Sequence, residues 1–174
     1  MAKYAKVDLG QIEALLNKIG GEEGMNAILS GRAIIAYSEH VIDLDADPRI
    51  PYDGWKVEEH KKGGQFKWDA SKVQLFLNKK QQDGGSIEGN KLRKELADMP
   101  VYNANLLDYL LDNPHLIPEE WKGKVICFWG TIYRDLGDNL YVCCLVWDGG
   151  RCRQGRCWLG RSFDAGYPSA VMTQ

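Results

Sequence analysis

The stretch VWDGGRCRQGRCWLGRSFDAGYP, residues 146–168, contains two kinds of residue that alternate along the chain. One kind is typical of a rigid framework and comprises Trp147, Gly149, Gly150, Trp158, Leu159, Phe163 and Pro168. Between these residues stands a mixture of arginine, cysteine, glycine, serine and others that has no evident structural role. The alternation predicts a fixed scaffold that carries side chains whose identity the fold does not dictate.

The amino-acid composition changes near residue 124 of the 174-residue chain. All 14 lysines lie at or before residue 124 and all 10 glutamates at or before residue 120, whereas the last 50 residues hold all five cysteines and five of the eight arginines. The net charge of the whole chain is −2, so it offers no general basic field for nucleic acid. We therefore expect a globular protein without a nucleic-acid partner, and a specific cause for the altered C-terminal composition.

No segment is predicted to enter a membrane. The longest apolar run, residues 125–129, is far shorter than the roughly 20 residues that a spanning helix needs. The N-terminal residues MAKYAKVDLGQ lack the apolar core of a signal peptide. We therefore expect synthesis in the cytoplasm and no membrane insertion, and association with a virion or a cell surface stays open.

Residues 1–31 are predicted to form a short helical segment. Ile12, Leu15 and Ile19 follow helical spacing, Gly20–Gly21 end that helix, and a second helix runs from Glu22 to Leu29. The apolar stripe of these helices either packs on the main domain or makes the contacts of a homo-oligomer. Both possibilities stay open.

Residues 32–174 are predicted to form one α+β domain. The stretches RAIIAY (32–37), QFKW (65–68) and KVQLFLNK (72–79) favour strands, and those at 90–99 and 104–113 favour two amphipathic helices. The β-branched and aromatic stretches 124–134 and 139–147 flank the turn DLGDN and predict a β-hairpin.

The chain shows no clear metal or catalytic motif. Asp43, Asp45 and Asp47 have the spacing of the first calcium ligands in a helix–loop–helix site, but Pro48 replaces the turn glycine and Gly54 the bidentate glutamate. No two cysteines have zinc-site spacing and the histidines are scattered, so free thiols are expected, with a Cys152–Cys157 disulfide left open. Neither a phosphate-binding glycine loop nor a catalytic constellation is present. The sequence therefore predicts no enzyme, no cofactor and no metal.

Residues 121–171, WKGKVICFWGTIYRDLGDNLYVCCLVWDGGRCRQGRCWLGRSFDAGYPSAV, resemble the variable proteins of diversity-generating retroelements. These are bacterial, archaeal and phage proteins. The resemblance implies a C-type lectin fold of the subtype also seen in formylglycine-generating enzymes. It weakens over residues 70–120 and is absent over 1–31. The expected architecture is thus a C-type lectin-like α+β domain with two helices and a β-rich C-terminal half, with a variable region at about 143–170.

The resemblance implies a cause for the altered composition, because genes of this family undergo directed mutagenesis. Its reverse transcriptase introduces errors at adenines, so codons such as AAC vary at their first two positions and keep a final pyrimidine. Such codons never encode Lys, Glu, Met, Gln or Trp, and residues 125–171 contain no Lys, Glu or Met. Gln154 is an exception to this pattern. Lys and Glu are also depleted in ordinary β-structure, but that tendency does not explain the excess of cysteine and arginine.

Matching the family position by position divides the region into two sets. The framework comprises Trp147, Gly149, Gly150, Trp158, Leu159, Phe163, Pro168, Ala170 and Val171. Of these, Trp147, Trp158 and Phe163 are expected to pack in the core. The exchangeable, ligand-binding positions are Cys144, Val146, Asp148, Cys152, Arg153, Gly155, Arg156, Cys157, Arg161, Ser162, Asp164, Ala165, Gly166, Tyr167 and Ser169. An aromatic residue would suit position 152 better than Cys152 does.

The resemblance implies a ligand-binding display protein whose partner is a protein or another surface ligand. Two other functions stay open. One is a structural virion or tail component that packs through the same surface. The other is a small metal-dependent enzyme that uses the acidic loop from Asp43 to Asp53.

A first prediction concerns the gene. Codons at the exchangeable positions should end in C or T, because only the first two bases of the template adenine codons vary. Reading the coding sequence checks this directly, and purine-ended codons at most of these positions would rule out the retroelement interpretation.

Overall fold

The computed structural model describes residues 8–34 and 39–173. The chain forms two units, residues 1–38 and residues 39–174. The strand predicted at 32–37 is absent over 32–34, and its remainder lies outside the described residues. Within the described ranges, no helix has the length and apolar character needed to cross a membrane.

The first unit contains two short helices, α1 (Leu9–Lys18) and α2 (Gly21–Leu29). Asp8 caps α1: its carboxylate accepts a hydrogen bond from the Gln11 N–H at 2.7 Å, and the Gln11 side chain accepts one from the Asp8 N–H. Gly20 and Gly21, with φ of 90° and 66°, take left-handed conformations between the helices. Both predicted N-terminal helices are confirmed.

In the described part of the second unit, most of the regular secondary structure is β-strand. The strands are β1 (Val41–Asp43), β2 (Lys56–His60), β3 (Gln65–Lys67), β4 (Val73–Phe76), β5 (Ile87–Glu88), β6 (Val125–Arg134), β7 (Leu140–Asp148), β8 (Arg151–Trp158), β9 (Ser162–Phe163) and β10 (Ser169–Met172). The helices are α3 (Lys79–Gln82), α4 (Gly89–Glu95) and α5 (Ala104–Asp112). Short 3-10 turns lie at Ala70–Lys72, Pro114–Leu116 and Glu119–Trp121.

The main sheet has six strands in the order β4-β10-β6-β7-β8, and β2 also pairs with β6. Neighbouring strands are antiparallel except β10 and β6, which run parallel. The pairs β1–β3 and β5–β9 form two further small sheets. The predicted α+β class with a β-rich C-terminal half is confirmed.

The predicted helices and strands of this unit are largely present. The helix expected at 104–113 is α5, which begins after Asn103, whose side chain accepts a hydrogen bond from the Asn105 N–H at 3.2 Å. The helix expected at 90–99 is shorter, because α4 ends at Glu95, although Leu92 and Leu96 are buried as its pattern predicts.

The main sheet separates two hydrophobic clusters. On the α5 side, Leu106 and Leu110 pack with Leu145 of β7. On the α4 side, Leu92 packs with Val142 of the same strand. Because neighbouring residues of a strand point to opposite faces, each central strand contributes to both clusters. Both sides are closed by helices, which is why the middle of β6 and β7 is apolar at nearly every position.

Strand β6 carries a bulge at the centre of the sheet. Ile132 lies opposite Val142 and Cys127 opposite Cys144, so β6 has three more residues than β7 over this interval. The Gly130 N–H, inside the bulge, donates to the Tyr102 carbonyl at 2.8 Å. A Cβ at Gly130 would lie 2.8 Å from the Asn103 Cβ and 2.9 Å from its Cα. The bulge therefore requires glycine at this position.

A second prediction follows from this close approach. Gly130→Ala should lower the free energy of unfolding by about 1–3 kcal/mol, because the added methyl group displaces the backbone before α5. Chemical denaturation measures the change. The control is Gly137→Ala in the β6–β7 turn, where the nearest atom, 3.1 Å away, is the end of the Asn139 side chain; its cost should stay below about 1 kcal/mol. Equal costs for both variants would show that the bulge tolerates a side chain.

Candidate ligand-binding surface

Strands β7 and β8 form a regular hairpin that builds the candidate site. Gly149 and Gly150, with φ of 56° and 83°, make its two-residue turn, where both positions require a left-handed backbone. From Asp148 opposite Arg151 to Tyr141 opposite Trp158, the pairing runs without interruption. The predicted framework role of both glycines therefore has a direct physical cause.

The register assigns the hairpin residues to the two sides of the sheet, since directly opposed residues share a face. The α4 side carries Val142, Cys144, Val146, Asp148, Arg151, Arg153, Gly155 and Cys157. The α5 side carries Tyr141, Cys143, Leu145, Trp147, Cys152, Gln154, Arg156 and Trp158. Of the eight exchangeable positions predicted on these strands, six therefore lie on the α4 side.

Loop residues extend this surface beyond the hairpin. The Gly166 carbonyl accepts a hydrogen bond at 2.9 Å from the N–H of Val125, which is the strand partner of Val146. Arg161 donates to the Tyr167 hydroxyl at 2.7 Å. We call the resulting surface the hairpin face; it comprises Val146, Asp148, Arg153, Gly155, Arg161, Gly166 and Tyr167.

The hairpin face has a small excess of positive charge. Arg153 pairs with Asp148, and because both side chains are more than half exposed, this ion pair contributes little to stability. The Arg161 guanidinium lies 4.5 Å from the centre of the Tyr167 ring, in addition to its hydrogen bond with the hydroxyl. Two arginines, with the exposed Arg151 beside them on the same side of the sheet, stand against one aspartate, and this excess favours a ligand that carries acidic groups.

Most of the predicted exchangeable positions reach the surface. The exposed residues are Asp148, Arg153, Arg156, Arg161, Ser162, Asp164, Ala165 and Gly166. The half-buried residues are Val146, Cys152, Gly155 and Tyr167. The remaining three, Cys144, Cys157 and Ser169, are buried at 3% exposure or less, so they are not available to a ligand. The two cysteines point to the α4 side, where Leu159 and Phe163 belong to the same apolar cluster.

The expectation for the framework holds at some aromatic positions and fails at others. Phe163 and Leu159 are fully buried, as predicted. Trp147 is only half-buried. The prediction that Trp158 packs in the core is wrong, because it ends β8 and is 48% exposed. Its ring instead covers the backbone of Gly160, where a Cβ would lie 2.3 Å from the Trp158 Cζ2 atom.

Arg153, Arg156 and Arg161 belong to one predicted set of exchangeable positions, but Arg156 does not share a surface with the other two. It lies on the α5 side, where its guanidinium is 4.3 Å from the centre of the Tyr52 ring and 5.7 Å from that of Trp55. Tyr52 lies in the acidic loop from Asp43 to Asp53, and Trp55 follows that loop directly; the sequence analysis gave neither residue a role. Two aromatic residues so close together in a loop were the available signal that it packs against the domain.

In the acidic loop from Asp43 to Asp53, the side chain of Asp45 binds the backbone of a neighbouring segment. The Asp45 carboxylate accepts hydrogen bonds from the N–H groups of Gly63 and Gly64, at 3.0 and 2.8 Å. Asp43 and Asp47 line a cavity of about 220 Å³ together with Asp108, whose pKa burial raises to about 6. Nowhere in the described residues do the acidic groups converge as three or more ligand atoms within 4.8 Å of one another.

The structure gathers cysteines that the sequence analysis had treated as separate. Cys127, Cys144 and Cys157 are buried, with Sγ atoms all within 4.8 Å of one another. All five cysteines are free thiols. The disulfide left open between Cys152 and Cys157 does not form, because these residues point to opposite sides of β8.

A cavity of about 580 Å³ lies beside β2 and α4. Its lining includes Lys61, Arg93 and Lys94 together with His60 and Trp129. Buried nitrogen atoms of two of these residues, His60 Nε2 and Trp129 Nε1, have no hydrogen-bond partner. The indole N–H of Trp129 can only donate, so a hydrogen-bond acceptor is needed to satisfy it.

Comparison of the chain with protein-family models, with curated proteins and with solved structures finds no match. The geometry and charge of the hairpin face are therefore the basis for the function proposed below.

A third prediction separates buried framework from exposed framework. Phe163→Ala should lower the free energy of unfolding by about 3–5 kcal/mol, because it empties a fully buried site. Trp158→Ala serves as the matched aromatic truncation and should cost about 1 kcal/mol, since half of its side chain is already in water. Denaturant titration of both variants gives the comparison. A loss for Trp158→Ala as large as that for Phe163→Ala would contradict it.

Proposed function

We propose that the chain is a ligand-binding display protein with a C-type lectin-like fold, whose hairpin face is diversified by a retroelement. It acts by binding and not by catalysis. The ligand is a protein or another surface ligand with acidic groups that contact Arg153 and Arg161.

The observation that carries the proposal is the distribution of exposed and buried residues within residues 144–171. Eight of the fifteen predicted exchangeable positions are exposed. Five of the nine framework residues, Leu159, Phe163, Pro168, Ala170 and Val171, are buried, whereas Gly149, Gly150 and Trp158 are exposed and Trp147 is half-buried. Side chains at the exposed positions can therefore change without emptying the core, as a diversified surface requires.

The hairpin face is held by backbone contacts that do not depend on the exchangeable side chains. The Leu159 N–H donates to the Leu140 carbonyl at 2.8 Å, and the Cys127 N–H donates to the Pro168 carbonyl at 2.9 Å. The chain between these anchors carries Arg161 and Tyr167. A paratope on a rigid backbone loses little conformational entropy on binding, which favours affinity.

Two of the predicted exchangeable positions are linked by packing. A Cβ at Gly155 would lie 2.5 Å from the Val146 Cγ2 atom, so a larger residue at position 155 requires a smaller or reoriented one at position 146. Diversification of this surface would thus produce dependent pairs as well as independent substitutions.

The decisive test of the proposal is the DNA that flanks the gene. We expect a reverse transcriptase gene nearby and a second copy of the region encoding residues 143–170 that differs only at adenines. A tail or virion component without a retroelement would lack both. A metal-dependent enzyme would also show specific binding of a divalent cation in calorimetry, which the display function does not require.

A fourth prediction tests the charge of the hairpin face. A hexaglutamate peptide should bind the full chain weakly at low salt and more weakly at physiological salt, because exposed charges are screened. Replacing both Arg153 and Arg161 by alanine should raise the Kd about threefold to tenfold, a loss of roughly 0.7–1.4 kcal/mol. Fluorescence anisotropy of a labelled peptide measures both effects.

Arg156→Ala is the matched control, since Arg156 lies on β8 but faces the α5 side. It should leave the Kd of the peptide unchanged within about twofold, while all variants keep the circular dichroism spectrum of the parent. An Arg156 effect equal to that of the double variant would show that attraction is a property of the whole chain and not of the hairpin face.

A further inference from the structure

Three cysteines from three adjacent strands lie together beneath the hairpin face. Cys127 of β6 is the strand partner of Cys144 of β7. Cys157 of β8 lies two residues beyond Gly155, the partner of Cys144, and so points to the same α4 side. The thiols of all three strands therefore meet at one point, which we call the thiol cluster.

The spacing of the thiol cluster suits a single bound metal ion. The three Sγ atoms lie within 4.8 Å of one another, and those of Cys144 and Cys157 are 3.2 Å apart. An ion bound by three thiolates at about 2.3 Å requires sulfur atoms roughly 4 Å apart. Movements of less than about 1 Å would place all three sulfur atoms around one ion.

The surroundings of the thiol cluster favour a metal ion that is stable with three sulfur ligands and no fourth ligand. The three cysteines are at most 3% exposed and share a cluster with apolar residues that include Leu159 and Phe163. Among the described residues, no histidine or carboxylate completes the group as a fourth ligand. Structural Zn²⁺ almost always has four ligands, whereas thiolates also select monovalent copper.

A metal ion bound by all three cysteines would displace the protons of their thiols to solvent, because cysteine binds metal ions as the thiolate.

We propose that Cys127, Cys144 and Cys157 form a three-coordinate Cu(I) site that ties β6, β7 and β8 together under the hairpin face. The proposal does not rest on the display function. If the display function is correct, Cys144 and Cys157 are exchangeable, and the metal site belongs to this particular sequence and not to the scaffold.

The test is an anaerobic titration of the reduced full chain with Cu(I) in competition with bicinchoninate. We expect one Cu(I) per chain, near-ultraviolet absorbance from sulfur-to-copper charge transfer, and a higher midpoint of thermal unfolding. X-ray absorption of the loaded wild-type chain should show three sulfur atoms at about 2.3 Å. The number of sulfur ligands is measured on the wild-type chain, so it tests the three-coordinate site even where a cysteine substitution prevents folding.

Each of Cys127→Ala, Cys144→Ala and Cys157→Ala should lower the Cu(I) affinity more than about 100-fold, beyond the loss typical of a supporting residue. Cys143→Ala is the matched control: Cys143 is 1% exposed and adjacent to Cys144, but it faces the α5 side. It should bind Cu(I) like the wild type. The proposal is overturned by absence of Cu(I) binding, by preference for Zn²⁺, by a shell of two sulfur atoms, or by equal loss in Cys143→Ala. Absence of any metal binding would mean that the three thiols act only as small apolar side chains.

Discussion

The close contact between Gly130 and the backbone of Asn103 is the constraint on which the rest of the domain depends. At this point β6 leaves regular pairing, and its carbonyl and N–H groups bond with two other segments. The Gly130 carbonyl accepts from the Lys61 N–H at 2.7 Å, just after β2, and the Thr131 hydroxyl accepts from the Ala104 N–H at 3.0 Å, at the start of α5. One bulge thus joins the central strand, an edge of the sheet and the helix that covers the α5 side. It also sets the register between β6 and β7, and with it the side to which each residue of the hairpin points.

The sequence predicted the helices and strands of this domain better than the pairing register between the strands. Helix α5, strand β4 and the β6–β7 hairpin follow from local periodicity and turn residues, which act over a few positions. The thiol cluster could not be predicted in this way. Continuing the regular pairing of Ile132 with Val142 would place Cys127 opposite Trp147, far from Cys144. Only the bulge, which depends on contacts with distant residues, brings the two cysteines together.

The same limit applies to the candidate site. The alternation of framework and other residues located the surface in the chain, and Gly149–Gly150 marked the turn. The side of the sheet that each arginine faces depends on strand pairing, so Arg156 was grouped with Arg153 and Arg161 although it stacks on Tyr52. The exposure of Trp158 has a related cause. A bulky aromatic residue at the end of a strand can cover a glycine backbone and stay half in water, and a composition argument does not distinguish this from core packing.

Strand β8 ends the main sheet, and no described strand pairs with its outer edge. Open edges of this kind can pair with the edge of another molecule and start polymerisation, and natural proteins restrain this with charged side chains. Arg151, Arg153 and Arg156 stand on this edge, where charged side chains oppose pairing with a second copy, besides any contact they make with a ligand. Under the proposed function, substitutions at Arg153 and Arg156 would be limited both by the ligand and by the need to protect this edge. A variant that replaces the arginines by valine or isoleucine gains an apolar surface for recognition, but it also exposes a strand on which a second copy can continue the sheet.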